Sequence, residues 1–303
     1  MAPPHLTRVP AVEGYSDRVS YRPGDSVSMR CASRAESFDV RVTRVGGERV
    51  EVHTVTGVRG EDQQVPERAW ESGCGWEETF AFDVGADWPS GFYEVELLPS
   101  GETYWLAAGH AFFAVLPARH DPSRPLLMLS TNTYQAYNQW GGRCMYSGAT
   151  QVSLDRPIER GYVRRPAAPF EVDYDGRMAD TTGHDRSHQR MVDYQRRENY
   201  PLWTSSSGWH NWERRFVQWA ERSGFGIDVA TNSDLHDSAE LLDGRRLALS
   251  VGHDEYWTWE MRDHVDQYVA GGGRWAIFSG NTCFWQVRFD TTGRHMTTYK
   301  NNA

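Results

Sequence analysis

LALSVGHDEYW (247–257) opens as a continuous apolar run and ends in a cluster of ionisable and aromatic side chains. A β-strand covered on both faces needs such a run. Three more segments share the grammar: LLMLS (126–130), FGIDVA (225–230) and WAIFSG (275–280). Helical patterns lie between them. Trp209, Trp212, Phe216 and Trp219 recur at helical spacing before Gly224, a C-cap signal. Met261, Val265, Tyr268 and Val269 mark a helix that stops at Gly271-Gly272-Gly273. Strand–helix–strand alternation implies a parallel sheet with helices on its faces.

Upstream the pattern is different. Residues 1–118 read as β throughout, in short alternating runs such as FDVRVTRV, GFYEVELL and HAFFAVL. Gly, Pro, Asp and Ser punctuate them, and no helical stripe interrupts. This predicts an antiparallel, immunoglobulin-like β-sandwich. PARHDPSRP (117–125), with three prolines, reads as a linker. The chain therefore divides into a β-sandwich domain over 1–120 and a parallel α/β domain over 121–303. The polar stretch 173–200 is too long for an ordinary connection and reads as a surface excursion or lid.

Composition narrows the partners. The 303 residues carry a formal net charge of −9, which disfavours nonspecific binding to nucleic acid or anionic membrane. No run of about 18 apolar residues would span a bilayer. The start, MAPPHLTRVP, lacks the apolar core of a signal peptide. Four cysteines, at 31, 74, 144 and 283, form no CxxC pair. They read as the scattered reduced thiols of a cytoplasmic protein, with a Cys31–Cys74 disulfide as the alternative.

Open parallel sheets bind ligands at the carboxyl ends of their strands. TNTYQAYNQWGG, TNSDLHD, GHDEYW and NTCFW follow the four runs, so polar and aromatic residues collect at one rim. Gly252–Trp257 holds His253, Asp254 and Glu255 where related architectures place a Ser or Cys nucleophile. Without one, carboxylate plus imidazole leaves metal ligation or general acid–base work. The competing reading is that Asp254 or Glu255 caps the next helix. Tyr134, Tyr137, Trp140 and Tyr146 form an aromatic cluster that either packs or offers phenolates, hard ligands for iron.

NTYQAYNQWGG (132–142), CMYSG (144–148), TNSDLH (231–236), GHDEYW (252–257) and GGGRWAIFSGNTCFWQVR (271–288) resemble the large (beta) subunit family of bacterial N,N-dimethylformamidase. WPSGFYEVEL (88–97) and HAFFAV (110–115) resemble the β-sandwich that precedes the catalytic fold there. The resemblance implies a glutamine-amidotransferase-like domain without its nucleophilic Cys. It also implies one non-haem ferric iron held by Tyr137, Tyr146 and Glu255, with His253 and Asn281 lining the site. In that reading a small, formamide-type amide is hydrolysed: His253 relays the proton and Asn281 donates to the oxyanion. Trp140, Trp257 and Trp285 would wall the pocket. A small subunit or a second copy would be the partner. Unlike the family, the chain lacks the lectin-like insert and ends at KNNA, where further strands and another active-site acid are expected, so a fragment or an incomplete site is implied. Two alternatives stand beside this: a non-catalytic module binding a carbohydrate or small metabolite through its aromatic rim, and Cys283 as nucleophile with His253 as base.

Overall fold

Alternate residues of the N-terminal runs are apolar because two sheets face each other across them. The computed structural model describes residues 10–101, 107–165, 200, 201, 203 and 206–300. All of the polar stretch 173–200 except Tyr200 lies outside the described residues. In order come β1 (Val12–Ser16), β2 (Ser20–Tyr21), β3 (Ser26–Ser33), β4 (Ser37–Val45), β5 (Arg49–Arg59), the short helix α1 (Ala69–Ser72), β6 (Phe80–Asp83), β7 (Gly91–Pro99) and β8 (Gly109–Val115). They form a three-stranded sheet, β1-β3-β6, and a five-stranded sheet, β2-β8-β7-β4-β5. Val27, Met29 and Cys31 of the first sheet share one core with Phe38, Val40, Val95 and Phe113 of the second.

The inner strand β7 is buried along both faces, against the usual half-solvated antiparallel pattern. Tyr93, Val95 and Leu97 enter the sandwich core. On the opposite face, Phe92 stacks on Phe112 (centroids 5.2 Å apart) and on Trp209 (4.2 Å). Glu94, only 1% exposed, is neutralised there by Arg49 at 2.9 Å. One apolar cluster thus runs from Phe92 and Phe112 into the second half of the chain.

After β8 the main sheet is parallel, beside a small antiparallel one. The second half holds β9 (Leu126–Leu129), α2 (Thr131–Tyr137), β10 (Gln151–Ser153), α3 (Glu213–Arg222), β11 (Asp228–Thr231), α4 (Asn232–Asp237), β12 (Ala248–His253), β13 (Tyr256–Trp257), α5 (Trp259–Ala270), β14 (Trp275–Gly280), β15 (Trp285–Gln286), β16 (Arg288–Phe289) and β17 (His295–Thr297). Four strands make a wholly parallel sheet in the order β11-β9-β12-β14. The architecture is β plus α/β.

Several sequence expectations shift. Trp209 and Trp212 precede α3 instead of opening it, because Trp209 is drawn into the stack on Phe92. Ser223 caps that helix, and Gly224 follows with φ +83°. WAIFSG forms β14 over the expected residues, yet Ile277 and Phe278 are 58% and 63% exposed. Covering helices on both faces therefore fail at this edge strand. None of the four cysteines is in a disulfide, so Cys31 and Cys74 are not bridged. Among the described residues no helix is long and apolar enough to cross a membrane.

Two stability predictions follow from this packing. Phe92→Ala should cost about 3–5 kcal/mol in chemical denaturation, since the ring joins the two halves. Glu213, at the start of α3, is 1% exposed, and burial pushes its carboxyl up to about 7. Its stabilising proton is fully present below the unfolded value near 4.5 and is lost as pH rises through about 7. Glu213→Gln should therefore gain about 1–3 kcal/mol on the native chain between pH 5 and pH 8, measured by urea unfolding at both.

Candidate functional site

Between β9 and β12 the chain visits β11 on the far side of β9. At that reversal of strand order the connections leave in opposite directions, and the carboxyl ends of β9 and β12 are where open α/β sheets place a ligand crevice. β9 runs almost directly into α2, whose residues are all buried. Gly141 (φ +82°) and Gly142 (φ +137°) then turn the chain back, and a Cβ on Gly142 would meet the Trp70 ring at 2.6 Å. The Met145 N–H donates to the Ala136 carbonyl (2.9 Å), which lays Tyr146 over Tyr137 with centroids 4.4 Å apart. Arg156, 1% exposed, braces the reversal by donating to the carbonyls of Gln135, Asn138 and Trp140.

From the other strand, β12 ends in Gly252-His253, and Asp254-Glu255 forms a two-residue break before β13. This break is zipped to the loop after β14: Cys283 N–H donates to the Asp254 carbonyl (3.0 Å) and Trp285 N–H to that of Glu255 (2.9 Å). Neither Asp254 nor Glu255 caps the following helix. Thr258 does, accepting from Met261 N–H at 3.2 Å.

The side chains converge on one carboxylate. Tyr137 Oη donates to Glu255 Oε2 (2.9 Å) and Tyr146 Oη to Oε1 (2.6 Å). His253 Nε2 lies 3.3 Å from Oε2. Its Nδ1 donates to the Ser206 carbonyl (2.8 Å), which leaves Nε2 facing the site, 3.3 Å from Asn281 Nδ2. Asn281 is exposed and left-handed, with φ 51°. Burial opposes ionisation of Glu255, but the hydrogen bonds from His253, Tyr146 and Tyr137 outweigh it and hold the carboxyl below its ordinary value. Burial opposes charging His253 as well, while its bonds to Glu255 and Ser206 raise its pKa overall. Burial and the neighbouring carboxylate raise both tyrosines.

Of the aromatic residues read from sequence, Tyr134 and Trp140 do not join this centre. Tyr134 is 1% exposed in the core, and Trp140 Nε1 donates to Glu13 (2.8 Å) on the sandwich. Trp257, 3% exposed, packs on Trp275 in the core, so it walls no pocket. Trp285 does lie at the site. Trp203 takes the place of the other two, 5.8 Å from Tyr137 and 5.3 Å from Tyr146 between centroids. Cys283 Sγ rests 3.8 Å from Arg262 Nη1, and burial raises its thiol. Burial outweighs the lowering effect of Arg262, so the thiol stays above its ordinary value.

Sequence reading missed Lys300. Its ammonium sits 3.6 Å from the Tyr146 ring centroid and 5.0 Å from that of Trp285, and donates to Tyr256 Oη. Burial lowers it to about 8. A signal existed, since Lys300 is the only lysine among 32 basic residues. A compact ammonium is kept here where arginine serves everywhere else.

Two other features compete weakly with this centre. Glu94, Glu96 and His110 place ligand atoms within 4.8 Å of one another, but Arg49 and Arg164 already pair with the carboxylates. A cleft of about 530 Å³ is lined by Asp243, Arg246, His264 and Arg274, at the amino ends of β12 and β14. Strand polarity puts it opposite the rim where ligands bind.

A family model described as N,N-dimethylformamidase beta subunit-like, C-terminal, matches residues 39–303. The N,N-dimethylformamidase beta subunit of Alcaligenes sp is 29% identical over 225 residues, covering 71% of this chain and 28% of that protein. The beta subunit of the same name from Paracoccus aminophilus is 26% identical over the same shares. The chain thus spans less than a third of the length of these relatives.

Gly252 tests how the rim is built. Its φ is +87°, and a Cβ would lie 2.2 Å from the Trp212 Cβ. Gly252→Ala should lower stability by at least about 1–2 kcal/mol, read by thermal unfolding, and should alter the near-ultraviolet circular dichroism of the surrounding aromatics.

Proposed function

The chain belongs to the N,N-dimethylformamidase beta subunit-like family, and on that premise we propose that it hydrolyses small amides of the formamide type at a mononuclear ferric centre. The observation that carries this reading is the meeting of two phenol oxygens, of Tyr137 and Tyr146, with the two oxygens of one Glu255 carboxylate, at 2.9 and 2.6 Å. Two phenols and a carboxylate are a hard oxygen donor set, which fits Fe³⁺ rather than a soft ion. Tyr137, Tyr146 and Glu255 would hold the ion. Bound there, it would supply a Lewis acid for the amide carbonyl and a lowered pKa for water.

The chain's own residues supply the rest. Amide hydrolysis joins a water oxygen to the carbonyl carbon, breaks the C–N bond and moves one proton from water to the departing amine. His253, oriented by Ser206, presents Nε2 to take that proton and return it. Asn281 Nδ2 sits beside the imidazole as a donor to the developing oxyanion. The rings of Trp203 and Trp285 and the stem of Lys300 narrow the approach and exclude water, which strengthens each of these interactions.

The same proposal extends to the frame. We read the sheets over 1–120 as immunoglobulin-like and those over 121–303 as an amidotransferase-like domain that carries the chemistry. The lack of a disulfide at any of the four cysteines supports a reducing, cytoplasmic setting. The relatives are named as beta subunits, so a small subunit or a second copy completes the proposed assembly.

Metal analysis and visible spectroscopy test the centre. The purified protein should hold about one iron per chain and absorb visible light through phenolate-to-iron charge transfer. Tyr146→Phe should shift or remove that band, and Glu255→Ala should remove the iron. Formate release from N,N-dimethylformamide should fall by at least about 100-fold in Glu255→Ala, on the scale of a lost ligand or oxyanion donor. A chain that stays iron-free after reconstitution, releases no formate and changes Trp fluorescence with a sugar would instead be the binding module.

A further inference from the structure

Residue 255 lies in the two-residue break between β12 and β13, where no strand ladder meets its backbone N–H. That N–H donates instead to Thr133 Oγ1 at 2.9 Å. Both residues are buried, Thr133 at 0% and Glu255 at 2% exposure. Thr133 stands four residues before Tyr137 in α2, so their side chains share one helix face one turn apart. Helix α2 therefore grips residue 255 twice, at the backbone through Thr133 and at the carboxylate through Tyr137.

Flanking bonds run between the same strand ends. Asn132 Nδ2 donates to the Tyr256 carbonyl (3.1 Å), and Asn132 N–H donates to Asn232 Oδ1 (3.0 Å). Asn232 Nδ2 reaches Asp254 Oδ1 at 3.4 Å. These bonds hold residues 254 and 256. At 255 itself the carbonyl is engaged by Trp285, and the N–H by Thr133.

We propose that Thr133 is a positioning residue: its hydroxyl fixes the backbone of Glu255 one helical turn from Tyr137, so that carboxylate and phenol oxygens meet as a pair of ligands. The proposal rests on the ferric reading above for its use, though not for its geometry. Groups that orient metal ligands from behind typically change metal affinity by about 10–100-fold when removed. A hydroxyl accepting a backbone N–H does this without adding charge next to the carboxylate.

Thr133→Val keeps the shape and removes the acceptor, and Thr133→Ser keeps the hydroxyl. In the metal-free full chain, hydrogen exchange at the Glu255 amide should quicken about tenfold or more in Thr133→Val and return in Thr133→Ser. Iron affinity should fall about 10–100-fold in Thr133→Val, with a shifted charge-transfer band, and recover in Thr133→Ser. Should Thr133→Val not fold, Thr133→Ala removes the hydroxyl without adding bulk and takes its place. An unchanged Glu255 amide overturns the proposal, as does a faster amide with unaltered iron affinity. If the native chain takes up no iron, the ferric reading falls separately. Crystal structures of the variant and native chains then decide. A carboxylate displaced from Tyr137 supports the positioning role, and an unmoved one overturns it.

Discussion

Leu126–Leu129 and Ala248–His253 lie side by side in parallel register, Leu127 opposite Leu249, although most of the domain's sequence separates them. That adjacency is the constraint under which the rest of the rim is built. It sets the exit of one strand beside the exit of the other, and the excursion through β11 makes this the point where strand order reverses. Tyr137 and Glu255, 118 positions apart, meet there because the two-turn helix α2 after β9 and a two-residue break after β12 have matching reach. Burying polar groups at such a place is unfavourable unless each finds a partner. Asn132, Thr133, Asn232 and Asp254 serve that need and stiffen the place where the carboxylate must stand.

The chain treats its buried charges in two distinct ways. On the outer face of β7, Glu94 and Glu96 are cancelled by arginines, so the cluster is electrically complete. At the rim, among the described residues, Glu255 meets the phenols of Tyr137 and Tyr146 and the His253 imidazole, with the Lys300 ammonium over the Tyr146 ring. Hydrogen bonds from the phenols and the imidazole stabilise the Glu255 anion, and no arginine pairs with it among the described residues. On the proposed reading, this carboxylate and the flanking phenols would together take the cation.

The sandwich also bears on the site. The Phe92–Trp209 stack and the ion pair of Arg44 with Glu221 (2.6 Å) tie the five-stranded sheet to the segment around α3. Ser206, which orients His253, and Trp212, which crowds Gly252, belong to that same segment. Loosening the junction would therefore reach the rim through packed contacts rather than through a hinge. The far edge of the parallel sheet differs, since Ile277 and Phe278 on β14 remain open to solvent.

Local patterning alone determined a good deal about this protein. Continuous apolar runs marked β9, β12 and β14 as strands, and alternation marked β4, β7 and β8, although the spacing did not tell that β7 is covered on both faces or that β14 is open at the edge. The GHDEYW and NTYQAYN segments advertised polar and aromatic groups at strand ends. Periodicity could not tell that Trp209 is pulled out of the helical stripe, that Trp140 bonds to Glu13, or that Trp257 turns into the core. Nor could it link Lys300 with Tyr146, Trp203 with Tyr137, or Thr133 with the backbone of Glu255. Such pairings depend on which strand ends become neighbours, and strand order is decided by the packing of whole elements rather than by any local stretch.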